Sequence, residues 1–125
     1  MAEKILVVDD EAVIRDVCCQ ILEAEGYSVT AVPSGKEALH VIGEDFDAVV
    51  TDIMMPDMSG LELLEVIRSM GIDVSTIVIT GLGTFDMATQ SDRLGAREFV
   101  VKPFTPDELC RAVRKALAKR HMPAG

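Results

Sequence analysis

Short apolar runs alternate with stretches of helical periodicity along this chain, and that alternation constrains the fold more than any other feature. "ILVV" (5–8) is a continuous β-rich run, the pattern of a strand buried on both faces. "YSVTAV" (27–32) alternates polar with apolar residues and suits an edge strand. "DAVVT" (47–51), "TIVIT" (76–80) and "EFVV" (98–101) complete five strands. Between the first two, residues 12–25 place Ile14, Val17, Cys18, Ile21 and Leu22 on one helical face, with Gly26 as the stop. Ser34 with Glu37, and Ser59 with Glu62, have capping-box spacing. The first pair opens a helix with Ala38, Leu39 and Ile42 inward, the second a helix with Leu63, Leu64 and Ile67 inward. A shorter helix is expected over 86–94, ending at Gly95. Thr105, Pro106 and Glu108 supply a cap, a first-turn proline and a box partner for a last helix reaching about residue 120, with Leu109, Val113 and Leu117 inward.

Strict alternation of strand and helix implies a parallel sheet with helices on both faces. Right-handed crossovers favour the doubly wound (βα)5 order 2-1-3-4-5, the flavodoxin-like three-layer α/β sandwich. At 125 residues, with 49% hydrophobic residues, the chain suits one domain with a proper core. That domain is expected over 1–120, with "HMPAG" (121–125) as a frayed terminus or linker stub. No apolar run is long enough to span a bilayer, and acids interrupt the N-terminal apolar segment too early for a signal peptide. Cys18, Cys19 and Cys110 form no CxxC pair and read as thiols in a reducing cytosol, so a cytoplasmic location is expected. The net charge of −9 disfavours nonspecific nucleic-acid binding and suits cationic partners, metal ions included.

In a sheet of this kind, ligands bind beyond the carboxyl ends of the strands, where the winding reverses. The first strand ends in Asp9-Asp10, the third at Asp52, the fourth at Thr80 and the fifth in Lys102-Pro103. Three carboxylates brought close together cannot all stay ionised without positive charge nearby. Mg²⁺ satisfies such a set and leaves positions for phosphate oxygens, while Lys102 and Thr80 add a fixed charge and a hydroxyl. These parts suit phosphoryl transfer to a carboxylate. Each also has an ordinary reading. Acids after a strand favour a helix N-terminus, Asp52 could be a turn residue, Thr80 a β-branched strand residue and Lys-Pro a common loop. Their joint placement at four strand ends is what chance does not readily supply.

The motifs "ILVVDDE", "DAVVTDIMMPDMSGLELL", "TIVITG", "LGAREFVVKPF" and "TPDEL" resemble the receiver domain of two-component response regulators over roughly residues 3–120. The resemblance implies that Asp52 accepts a phosphoryl group from a sensor histidine kinase or a histidine phosphotransfer protein. It implies that Asp10 binds Mg²⁺ directly with Asp9 in support, and that Asp52 and the backbone carbonyl of Met54 are further ligands. Thr80 and Lys102 would bind phosphoryl oxygens, Thr80 and Phe99 would form the switch, and Lys102-Pro103 would be a cis peptide. The implied partners are the phosphodonor and a downstream output domain or protein, with a homodimer face on the 86–94 and last helices, and no nucleic-acid or membrane contact by this domain. The nearest likeness is to receivers of nitrogen-regulation-type activators and hybrid kinases. Gly81 stands where the family usually has a residue such as Ala, and Phe99 where many members have Tyr.

The resemblance implies a switch that catalyses its own phosphorylation and slow hydrolysis, not a turnover enzyme. An aspartate-nucleophile phosphatase of the haloacid-dehalogenase type shares Mg²⁺, Asp, Thr and Lys. It requires a DxD motif on its first strand, which "VVDDEA" does not provide. A degenerate receiver acting only as a binding module is the other alternative, to be recognised by failure to bind Mg²⁺.

Overall fold

A computed structural model describes residues 2–43, 45–81, 89 and 93–119. In chain order the described elements are β1 (Lys4–Val8), α1 (Ala12–Ala24), β2 (Ser28–Val32), α2 (Gly35–Val41), β3 (Ala48–Asp52), α3 (Gly60–Ser69), β4 (Ser75–Thr80), β5 (Glu98–Val101) and α4 (Pro106–Lys119). The helix expected over 86–94 falls largely outside the described residues, as does the 121–125 tail. All strand pairs are parallel, and the sheet order is β2-β1-β3-β4-β5.

The apolar runs form strands because both faces of the sheet are covered. On one face Ile5, Val7, Ala48, Val50, Ile77, Ile79 and Val100 pack with Cys18 and Leu22 of α1 and with Leu109, Ala112, Val113 and Ala116 of α4. On the other, Leu6, Val8 and Val49 pack with Ala38 and Ile42 and with Leu63 and Ile67 of α3. Burying one such aliphatic side chain stabilises the fold by about 1.5–3 kcal/mol. β2 lies at the sheet edge, and its alternating exposure matches its sequence pattern. Val17 differs from expectation: it is 39% exposed, because α1 packs on the sheet through Ile14, Cys18, Ile21 and Leu22 and leaves Val17 outside that cluster.

Helix ends follow the local sequence. Gly26 has φ +95 at the end of α1, a left-handed conformation open to glycine at low cost. Ser59 and Glu62 form a reciprocal capping box at α3, and Thr105 and Glu108 exchange the same two bonds at α4. At α2 the Ser34 hydroxyl accepts from the Glu37 N–H, which is half of the expected box.

The register sets the site. Val8 lies opposite Thr51, Asp52 opposite Ile79, and Thr80 opposite Val101. The carboxyl ends of four strands therefore line one edge. Among the described residues, no helix is long and apolar enough to cross a membrane.

Candidate functional site

β1 runs straight from its apolar residues into the acidic pair, and the two acids diverge in environment. Asp9 is buried and Asp10 exposed. Asp9 continues the sheet by one bond, its N–H donating to Val32 O at 3.2 Å. Its Oδ1 accepts the Glu11 N–H at 2.9 Å, which satisfies a backbone donor at the start of α1 where Glu11 makes no side-chain cap. Asp52, the last residue of β3, is also buried. Its Oδ1 accepts the Met54 N–H at 3.3 Å. Carboxylate oxygens of Asp9, Asp10 and Asp52 come within 4.8 Å of one another.

Lys102 supplies the positive charge. Its Nζ lies 3.2 Å from Asp9 Oδ2, 3.2 Å from Asp52 Oδ2 and 3.7 Å from Glu11 Oε1. The backbone is held as well, since the Lys102 N–H donates to Thr80 O at 2.8 Å, and the Lys102–Pro103 peptide is cis. Burial pulls the Lys102 ammonium towards deprotonation, but the charges and hydrogen bonds of Asp52 and Asp9 outweigh it and raise its pKa. Burial raises the Asp52 pKa, and the Lys102 charge only partly counters this. The thiol of Cys18, buried in α1 and facing the field of Asp9, is pushed up to about 12, first by burial and then by that charge. All three cysteines are free.

The donor set fits a hard divalent cation. All three acidic groups offer oxygen, and three carboxylates against one ammonium leave two negative charges. Thr80 is fully buried at the end of β4, and Phe99 lies half-buried on β5 against the cluster of Ile53, Leu64, Val78 and Ala96. The structure thus brings Asp9, Asp10, Asp52 and Lys102 together, with Met54 bonded to Asp52 and Thr80 bonded to Lys102.

Two further features of the site, Gly60 and Glu11, were not assigned from the sequence. Gly60 opens α3 directly beneath the end of β3: a Cβ there would collide with the Asp52 carbonyl oxygen and come within 2.9 Å of Ile53 Cα. Its N–H donates to Ile53 O at 2.9 Å, so the helix approaches the strand end as closely as backbone allows. Glu11 reads as a helix-start acid, yet its carboxylate lies at the exposed rim within reach of Lys102. The signal for Gly60 was present, a glycine after a capping serine. The signal for Glu11 depends on a residue 91 positions away.

The chain is similar to known proteins over nearly its whole length. The family model described as the response regulator receiver domain matches residues 5–114. The response regulator SaeR of Staphylococcus epidermidis is 37% identical over 115 residues, which cover 92% of this chain and 50% of that protein. The chain therefore spans about half the length of the curated relatives it matches. The crystal structure of a CheY-like response regulator receiver domain protein from Methanospirillum hungatei JF-1 is 34% identical with TM-score 0.89, covering 96% of this chain and 97% of that one. A response regulator receiver domain from Clostridium thermocellum is 34% identical with TM-score 0.87, covering 94% and 96%.

Proposed function

The chain belongs to the response regulator receiver domain family of two-component signalling, and on that premise we propose that it is a phosphorylation-controlled switch whose acceptor is Asp52. The observation that carries this reading is the single ammonium of Lys102 held between Asp9 and Asp52, with Asp10 beside them at the carboxyl edge of the sheet.

Asp52 is the nucleophile. A carboxylate oxygen of Asp52 forms a bond to phosphorus as the bond from phosphorus to the donor's imidazole nitrogen breaks. The Met54 N–H and the Lys102 ammonium orient the Asp52 carboxylate in advance. Lys102 and the Thr80 hydroxyl then bind the phosphoryl oxygens. Asp9, Asp10, Asp52 and the Met54 carbonyl would hold Mg²⁺, which when bound supplies positive charge at those oxygens. The phosphodonor is a sensor histidine kinase or a histidine phosphotransfer protein, and hydrolysis of the acyl phosphate returns the switch to rest without turnover of a metabolite. The domain occupies residues 1–120.

The readout is a change of surface around the helix expected over 86–94 and α4, controlling an output domain or partner protein. Curated relatives are about twice as long as the matched region, which leaves room for such a domain in them. A net charge of −9 speaks against direct nucleic-acid contact by this domain. A homodimer through the 86–94 helix and α4 would place part of its interface on residues outside those described.

Incubation with Mg²⁺ and acetyl phosphate tests the reading. One base-labile phosphoryl group is expected, absent in Asp52→Asn. Labelling that survives Asp52→Asn at an unchanged level would refute the assignment, and steady turnover of p-nitrophenyl phosphate would favour a phosphatase instead.

A further inference from the structure

Asp10 is the one acid of the trio whose carboxylate makes no hydrogen bond or ion pair among the described residues, and it is exposed. Asp9 is tied to Glu11 and Lys102, and Asp52 to Met54 and Lys102. With no bond to its carboxylate, the backbone fixes the Cα–Cβ direction of Asp10 and so the region its carboxylate can reach. That backbone has an anchor outside the residues assigned above. Arg15 Nη1 donates to the main-chain oxygen of Asp9 at 2.8 Å. The accepting oxygen belongs to the peptide that joins Asp9 to Asp10, so the guanidinium holds the plane from which Asp10 departs. On the strand side, Asp9 is held through its N–H by Val32 O. Arg15 itself is fixed by α1, where its N–H donates to Glu11 O at 3.1 Å and its side chain is half-buried.

We propose that Arg15 is a positioning residue of the acidic site: its bond to the Asp9 carbonyl sets the Asp9–Asp10 peptide so that the Asp10 carboxylate converges with those of Asp9 and Asp52. The inference rests on the reading that these three acids hold Mg²⁺. Charge alone argues the other way. A guanidinium beside the cluster repels a divalent cation, so deleting it as a charge tightens Mg²⁺ binding. Deleting it as a positioner weakens binding, because Asp10 then loses its preset direction. The two roles have opposite signs. Lysine keeps the charge but replaces the rigid planar fork with a flexible point charge.

The test is calorimetric titration of MgCl₂ into the metal-free chain and into Arg15→Lys and Arg15→Met. The Mg²⁺ Kd is expected to rise about tenfold in Arg15→Met, the size of one charged hydrogen bond. In Arg15→Lys it should rise about threefold or more despite the retained charge. In amide NMR of metal-free Arg15→Lys, the Asp10 resonance is expected to move while those of Ile5–Val8 stay in place, so this variant carries the test even if Arg15→Met fails to fold. An affinity that is unchanged in Arg15→Lys and tighter in Arg15→Met overturns the inference and leaves Arg15 as a charge only. No Mg²⁺ uptake by the wild-type chain overturns the metal reading and this inference with it.

Discussion

The ammonium of Lys102 lies 3.2 Å from Oδ2 of Asp52, reaching across the end of β4 from β5 to β3. The same nitrogen lies 3.2 Å from Asp9. One long side chain thus neutralises part of a buried acidic pair that the sheet brings together. Replacing Lys102 by Met leaves Asp9 and Asp52 facing each other without it. The metal-free protein should lose about 2–3 kcal/mol, below the range for fully buried pairs because the Lys102 side chain keeps 17% of its surface exposed at the rim. Urea unfolding measures this. Added Mg²⁺ should stabilise the variant more than it stabilises the wild type, and an unchanged urea midpoint for Lys102→Met would contradict the argument.

Asp52 carries the complementary cost. Its folded-state pKa is raised above the ordinary carboxylate value, by burial first. The folded state therefore holds the proton more tightly than the unfolded chain does. Stability falls as pH climbs from the unfolded value through the folded one, and the loss persists at neutral pH. Asp52→Asn removes that ionisation and should raise the metal-free melting temperature at pH 7. The gain should vanish below about pH 3, where the acid is protonated in both states. A variant that melts lower than wild type at pH 7 would show that the contact with Lys102 outweighs the burial of the charge.

Gly60→Ala tests how closely α3 must approach the end of β3. The added methyl meets backbone at Asp52 and Ile53, which cannot swing aside as a side chain can. An overpacking cost of about 1–3 kcal/mol is expected, together with slower labelling by acetyl phosphate, because the strain falls on the peptide of Asp52. Gly43→Ala is the control, since a Cβ there meets nothing within 4 Å. If both variants behave like wild type in unfolding and labelling, the close approach is not required.

The buried hydroxyl of Thr80 and the half-buried ring of Phe99 occupy neighbouring strands, with Thr80 at the end of β4 and Phe99 opposite Val78. Phe99 packs, half-buried, on the Ile53–Leu64–Val78 cluster, and an inward ring state populated in part without phosphorylation is expected. Phosphorylation that draws Thr80 inward should shift this population further. Thr80→Ala should still accept a phosphoryl group but pass little change to the ring. Fluorine NMR of a labelled Phe99, with and without beryllofluoride, checks it. A ligand-induced shift of normal size in Thr80→Ala would end the coupling idea.

Strand and helix identity was legible in the linear sequence, because both rest on local physics. A run such as Ile5–Val8 can bury both faces only inside a sheet, and Ser59 with Glu62 closes its capping box within one turn. The strand order was also within reach, since crossover handedness and alternation leave few ways to wind five parallel strands. The placement of Asp9, Asp52, Thr80 and Lys102 at one edge follows from that order alone. Tertiary structure decided what each group does there. Asp9 and Asp10 are neighbours of the same type, yet one is buried and bonded while the other is exposed, because the sheet continues through Asp9 to Val32 and ends before Asp10. Val17 has the helical spacing of a core residue and is still 39% exposed, since the packing of α1 on the sheet takes in Ile14, Cys18, Ile21 and Leu22 and leaves it out. The Arg15 bond to the Asp9 carbonyl, the Glu11 carboxylate near Lys102 and the close approach of Gly60 to Asp52 all join groups whose distance depends on how packed elements meet. Local periodicity carries no information about that distance; it exists only once the core has closed.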